Sequence, residues 1–256
     1  MKIGIMGAMP QEIALLQKDM HIVRRQTRGM REYLEGQIYG KDAVLVFSRC
    51  AKVAAASTVT TLIDFFGVDL VVFTGVAGAA DRALEIGDVV IGTALVQHDL
   101  DANPLFPRFE VPFLGKSAFE VPQAILSLAR QSAERYLNGP LHQDIPVEVL
   151  RGFGIKASPR LWEGLIVSGD QFIANPQTLL GLRTALIQAG LPAPLCVEME
   201  GAAVAQVCHE HGIPVIVTRA ISDKADHSAA IDFFPFVDKI ASHLTCGLVK
   251  ELIRLV

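Results

Sequence analysis

Apolar positions along this chain recur with two periods, and their succession predicts a mixed order of strands and helices. Ile3 to Met6 is a short apolar run that reads as a strand, Gly7-Ala8-Met9-Pro10 as a turn, and Gln11 onward as a helix partly burying Ile13, Leu15 and Leu16. Tyr33 to Phe47 loosely alternates apolar and polar residues around Tyr39-Gly40-Lys41-Asp42, the pattern of a hairpin. An alanine-rich helix from Ala51 to Phe66 follows. Asp69 to Thr74 then reads as a buried strand opening into the small-residue loop Gly75-Val76-Ala77-Gly78-Ala79-Ala80, where backbone can approach a ligand or a neighbouring segment. Next come a strand from Ile86 to about Gln97, an amphipathic helix from Val121 to Tyr136, a strand candidate from Val147 to Lys156, a strand from Gly164 to Ser168 and a helix from Pro176 to Ala189. Val237 to Val256 is helical, with Leu244, Leu248 and Leu252 on one face.

The most informative stretch runs from Cys196 to Asp226. Pro194 to Val197 reads as a strand, and Glu200 opens a helix whose Val204, Val207, Cys208 and His211 recur at i, i+3, i+4 and i+7 until Gly212 ends it. Ile213 to Ala220 is nearly all apolar, as in a strand buried on both faces of a parallel sheet. In such α/β units ligands sit beyond the carboxyl ends of the strands, so Glu198-Met199-Glu200 and Ser222-Asp223 should line one crevice. The plainer reading makes Glu200 a first-turn helix acid, worth about 0.3–1 kcal/mol against the dipole, and Asp223 a turn or cap residue.

Four segments weigh against the plainer reading. They are MKIGIMGAMPQE, the TGVAGAA loop with the following IGDVVI, LIVSGDQFI, and VEMEGAAVAQVC with VTRAISDKAD. In this order, from residue 1 to about residue 233, they closely resemble the 5'-methylthioadenosine/S-adenosylhomocysteine nucleosidases of the purine and uridine phosphorylase superfamily. The resemblance implies an α/β fold, a three-layer α/β/α sandwich with a twisted mixed central sheet, nucleoside phosphorylase-like, in one domain over residues 1–256. It also implies hydrolysis of an adenine N-glycosidic bond in a homodimer.

Breaking that bond builds positive charge on the ribose and negative charge on the departing purine, so a site must protonate the base, place a water and hold the sugar. By resemblance, Asp223 is the general acid toward adenine N7, with Ser222 orienting it. Glu12 positions and deprotonates the water, and Glu200 clamps the ribose hydroxyls and, ionised, favours the cationic sugar. Phe172 stacks on adenine and the Ile173 backbone reads the purine edge. Met9 and Met199 make apolar ribose contacts, and Phe233 lies near the 5' substituent. Val76, Ala77 and Gly78 of the small-residue loop and Glu198 complete the substrate contacts. Arg219 matches a position near ribose and water, although pairing with Glu198 would also account for it. The chain departs from the family at Val76, where a small hydroxyl residue is usual, and at Arg49 and Ala51, where glycines are.

Between His98 and Phe119 the chain is too rich in Pro and Phe for a regular element, and Leu105, Phe106, Phe109 and Phe113 argue for docking against something. The resemblance implies that Phe106 and Phe109 help close the partner subunit's pocket.

Composition narrows the remaining classes. A formal net charge of -4 gives no electrostatic case for nucleic acid or an anionic membrane as partner. No apolar run reaches the ~18 residues of a membrane span, and the amino terminus does not fit a secretory signal. Cys50, Cys196, Cys208 and Cys246 are widely spaced, as for reduced thiols in a cytoplasm, and His209 and His211, two apart on a helix, share no face for a metal. No metal or cofactor is expected. A dinucleotide reading of GIMGAM fails because G-x-G-x-x-G is not met. The alternatives that stay open are a purine nucleoside phosphorylase or futalosine-type hydrolase of the same fold, and a non-catalytic nucleoside-binding protein. Intact Glu12, Glu200 and Asp223 disfavour the last.

Overall fold

Three parallel strands, buried along nearly their whole length, form the centre of the molecule: β1 (Lys2–Gly7), β5 (Leu70–Ala79) and β10 (Val215–Asp223). Their valines and isoleucines suit a pleated surface covered on both faces. The computed structural model describes residues 1–155, 158–227 and 229–256. Outward from β1, the sheet continues through β4 (Lys41–Phe47), β3 (Arg31–Ile38) and β2 (His21–Arg28). The hairpin read from Tyr33 to Phe47 is the antiparallel β3–β4 pair. Strand β2 has no counterpart in the sequence reading, because HIVRRQTR carries the charges of an exposed edge strand and not the apolar alternation of a half-buried one.

On the other side the sheet closes on itself. Strand β10 pairs antiparallel with β6 (Val89–Gln97), β6 parallel with β8 (Leu161–Ser168), and β8 parallel with β9 (Pro194–Glu198). Strand β9 then returns antiparallel to the last residues of β5, Gly78 and Ala79. A short β7 (Ala118–Glu120) adds to β6. The expected mixed sheet is present, but the two strands flanking the EMEGAA helix run in opposite directions.

Helices α1 (Pro10–Asp19), α3 (Gln123–Asn138) and α9 (Ser242–Ile253) pack together over the sheet, and α2 (Lys52–Asp64) packs with α7 (Gly201–His211). Gly212, left-handed at φ 67°, ends α7 as its position predicted. The short α4 (Leu141–Asp144), α5 (Val147–Gly152), α6 (Pro176–Gln188) and α8 (Ala229–Phe236), with a π turn at Val237–Ala241, complete the chain. No helix among the described residues is long and apolar enough to cross a membrane.

Three expectations change. Val147 to Lys156 is not a strand: α5 starts after Pro146 and buries only Leu150, and Lys156 lies outside the described residues. Gly75 to Ala79 is not a loop but the second half of β5, because small side chains do not stop backbone pairing, and Gly75, Val76, Ala77 and Gly78 each pair with β10. Phe109 does not reach outward: it is 1% exposed and packs in its own subunit with Val96, Leu165, Val167 and Ile173. Leu105 and Phe113 are the exposed apolar residues of that loop, and Phe106 leans edge-on against Phe113.

Candidate active site

Where β5, β9 and β10 end, a cleft of about 540 Å³, measured out to its open mouth, brings Glu12, Glu200 and Asp223 together. These acids come from three places far apart in sequence, and each is nearly fully buried.

Glu12 stands in the first turn of α1, and its carboxylate turns back onto three backbone N–H groups. Oε2 accepts from Ala8 at 2.7 Å and Met9 at 2.9 Å, while Oε1 accepts from Val76 at 3.2 Å. The glycines beside it make room, since a Cβ on Gly75 would stand 2.7 Å from Oε1 and one on Gly7 3.1 Å from the Glu12 Cβ. Burial pushes the Glu12 carboxyl above its ordinary range, against the pull of the Arg219 charge and the three N–H bonds. A carboxyl tuned upward is better matched to proton transfer near neutral pH. The missing hydroxyl at Val76 therefore does not unseat Glu12, which uses the backbone at that position.

Glu198 and Glu200, two residues apart, do different things. Glu198 caps α7: its carboxylate accepts the N–H of Glu200 at 3.1 Å and of Gly201 at 2.8 Å, and also the Ser168 hydroxyl. Arg219 Nη2 meets it at 2.7 Å, and that guanidinium also donates to the Phe73 and Thr218 carbonyls and lies over the Phe73 ring. Glu198 edges the cleft but its oxygens are taken up by protein donors, while Arg219 stands behind the wall and does not line it. Both were expected among the substrate contacts; their geometry makes them the rigid backing of the EMEGAA turn.

Glu200 is the N-cap residue of α7, yet its side chain makes no capping bond, so the plain helix-acid reading belongs to Glu198. Glu200 Oε1 instead accepts the N–H of Ala51 at 2.6 Å. Burial, and next the charge of Glu198, push its carboxyl up to about 8. A carboxyl raised in this way can, when it carries a proton, both donate to and accept from a diol.

Ala51 holds this bond in an unusual backbone. At φ 76° and ψ 163° it occupies a region that is essentially reserved for glycine and costs other residues roughly 1–3 kcal/mol. Arg49 is also left-handed, at φ 70°. These are the two positions at which the sequence resemblance implies glycine. The Arg49 guanidinium donates to the Met30 carbonyl and does not line the cleft.

Asp223 ends β10. Its Oδ1 accepts the Ala225 N–H at 2.8 Å and its Oδ2 meets the Ser222 hydroxyl at 2.7 Å. Ser222 Oγ also lies 3.3 Å from the Ala77 carbonyl, and with one hydrogen it can serve only one of these acceptors. When Asp223 carries a proton it can donate to Ser222, which then donates to Ala77. Ser222 thus supports Asp223 from behind and does not line the cleft. Gly78 allows the approach, because a Cβ there would stand 2.9 Å from Oδ1.

Met9, Val76, Ala77, Gly78, Met199, Phe172, Ile173 and Phe233 complete the apolar walls. Phe172 is half exposed and meets Phe233 edge to face at 5.7 Å, which leaves a ring face for stacking. Ala8, Cys50, Gln171 and Val197 also line the cleft and were not singled out from sequence. Their adjacency to motif residues was the available signal. Burial, with the nearby charges of Glu200 and Glu12, pushes the Cys50 thiol up to about 11, so it is not a ready nucleophile. Among the described residues, all that line the cleft are neutral or acidic. Among the described residues no group of three or more His, Cys, Asp or Glu could hold a metal ion.

Comparison with known proteins establishes the family. The model of the phosphorylase superfamily matches residues 2–254. A 5'-methylthioadenosine/S-adenosylhomocysteine nucleosidase of Actinobacillus succinogenes is 36% identical over 256 residues, covering 98% of this chain and all of that protein. The nucleosidase of that name from Neisseria meningitidis, solved with methylthio-immucillin-A, superposes with a TM-score of 0.84 at 32% identity over 100% of this chain and 99% of its own. Futalosine hydrolase of Helicobacter pylori superposes almost as well, with a TM-score of 0.83 at 30% identity over 100% of this chain and 98% of its own. With similarity running end to end at this level, the chain belongs to the phosphorylase superfamily and, within it, to the 5'-methylthioadenosine/S-adenosylhomocysteine nucleosidase family.

Proposed function

We propose that this protein hydrolyses the N-glycosidic bond of 5'-methylthioadenosine and S-adenosylhomocysteine, releasing adenine and the 5'-thioribose. The observation that carries the reading is a single cleft that gathers the buried carboxyl groups of Glu12, Glu200 and Asp223, with Glu198 at its edge, and has no cation among the described residues that line it. Glu12, tuned upward by burial, takes a proton from water as the water oxygen bonds to the anomeric carbon. The bond from that carbon to N9 breaks, its electrons pass to the purine, and Asp223 supplies the proton at N7. Glu200 holds the ribose hydroxyls, and Phe172 with Ile173 takes the base. Glu198, Arg219 and Ser222 act at one remove, by fixing the turns from which Glu200 and Asp223 project.

Water and not phosphate is the nucleophile in this reading. A phosphate dianion needs several arginine, hydroxyl and backbone donors. Here Val76 offers no hydroxyl, its N–H is already given to Glu12, Arg49 is engaged with Met30, and Arg219 is paired with Glu198. Placing the dianion beside Glu12 would cost several kcal/mol, about the penalty for an unpaired buried charge. Incubation with methylthioadenosine in phosphate buffer should therefore give free methylthioribose and adenine. Methylthioribose 1-phosphate as product would overturn the claim. Futalosine, tested alongside, separates this reading from the related hydrolase.

The protein works, in this reading, as a single-domain cytoplasmic homodimer. What supports the dimer is the loop before β7, where Leu105 is 83% and Phe113 94% exposed, an apolar patch that association would cover. Sedimentation should show a dimer, and an active monomer at about micromolar concentration would count decisively against it.

A further inference from the structure

A polar cluster outside the cleft ties its two walls together. Lys52, the first residue of α2, donates its backbone N–H to Asp170 Oδ1 at 3.0 Å and its ammonium to Asp99 Oδ1 at 2.6 Å, with Asp170 Oδ2 3.8 Å from Nζ. Asp99 Oδ2 accepts the backbone N–H of Asp170 at 2.9 Å. One ammonium and two carboxylates thus join the start of α2, the segment after β6 and the segment after β8.

The join is built and not incidental. The side chains of Lys52, Asp99 and Asp170 are 17%, 27% and 50% exposed, and one ammonium shared between two carboxylates makes a network and not an isolated surface pair. Gly169 is required for the approach, since a Cβ there would stand 2.3 Å from His98 Cε1 and 3.0 Å from Asp99 Cγ. Against the upward push of partial burial, Lys52 and the Asp170 N–H hold the Asp99 carboxyl below its ordinary range.

Two of the three joined segments lead directly into the cleft, and Asp99, from the segment after β6, bridges them. The residue before Lys52 is Ala51, whose N–H holds Glu200 on the sugar side. The residues after Asp170 are Gln171, Phe172 and Ile173, which form the base side. We propose that Lys52, Asp99 and Asp170 are positioning residues, a clasp that sets the span between the sugar wall and the base wall without touching the nucleoside. This rests on the nucleoside-hydrolysis reading.

The clasp has a signature that simple loosening of the fold does not share. Adenine touches only the base wall, whereas a nucleoside must fit both walls at once. In Lys52→Met, calorimetry should show methylthio-immucillin-A binding weakened by roughly tenfold or more, with adenine affinity within about twofold of wild type, because misplacing one wall penalises only ligands that span both. KM for methylthioadenosine should rise with a far smaller change in kcat, and Lys52→Arg, which keeps the charge, should recover most of the loss. If Lys52→Met does not fold, Asp99→Asn keeps the shape and removes the charge opposite the ammonium, with the same expected pattern. Equal weakening of both ligands, or no change in either, overturns the clasp. A wild-type protein that binds neither ligand overturns the functional reading, and the clasp with it.

Discussion

Asp223→Asn is expected to lower kcat by at least about 10²-fold while nucleoside binding stays measurable, the size of effect usual for a lost general acid. The change is close to isosteric, and the surroundings tolerate it. The amide oxygen can still accept the Ala225 N–H that Oδ1 accepts at 2.8 Å, and the amide nitrogen can donate to Ser222 Oγ where Oδ2 now lies at 2.7 Å. Folding and the cleft should therefore survive. What the amide cannot do is deliver a proton to the departing purine. A variant that retains a tenth or more of wild-type kcat would sink the general-acid assignment.

Glu12→Gln should be comparably damaging, for a different reason and with a structural side effect. The three N–H groups that converge on Glu12 come from Ala8, Met9 and Val76. A glutamine oxygen can replace Oε2 for the first two, but its NH2 then faces the Val76 N–H, donor to donor. The unsatisfied pair should lower stability by roughly 1–3 kcal/mol, visible as a reduced Tm, while turnover falls about 10²-fold or more. The pH profile separates the chemical loss from the structural one. Glu12 must be ionised to accept a proton from water, and burial raises its pKa in the folded protein. Wild-type kcat/KM should therefore decline as pH falls through a value above the ordinary carboxylate range, and that limb should be missing from the residual activity of the glutamine variant. An acid limb at the usual carboxylate pKa, or one that persists in the variant, would remove Glu12 from the role.

The stability linkage of Glu200 has the opposite sense from that of a salt-bridged acid. With its carboxyl raised to about 8, its contribution is fully present below the unfolded value and is lost as pH rises through 8. Ionisation of buried Glu200 therefore costs the folded protein stability on the alkaline side, a cost that is absent on the acid side.

Most of the order of strands and helices, apart from β2 and α5, was legible in the sequence, as were the helix opening at Glu200 and the acids at the ends of β9 and β10, because periodicity and glycine stops are local properties. The motifs around Glu12, Phe172, Glu200 and Asp223 named the family for the same reason: they are contiguous. Tertiary structure alone decided what each acid bonds to within the protein. Glu198 and Glu200 are equivalent to any local rule, and only the arrival of Arg219 and Ser168 at one and of the Ala51 N–H at the other distinguishes them. The bond between Ala51 and Glu200 spans 149 positions and that between Val76 and Glu12 spans 64, separations over which composition and period carry no information. Strand direction was lost in the same way, since β9 reverses against β5 through pairing of two residues only. The left-handed backbone at Arg49 and Ala51 was also hidden, because a side chain does not announce that the fold has forced it into a conformation that suits glycine.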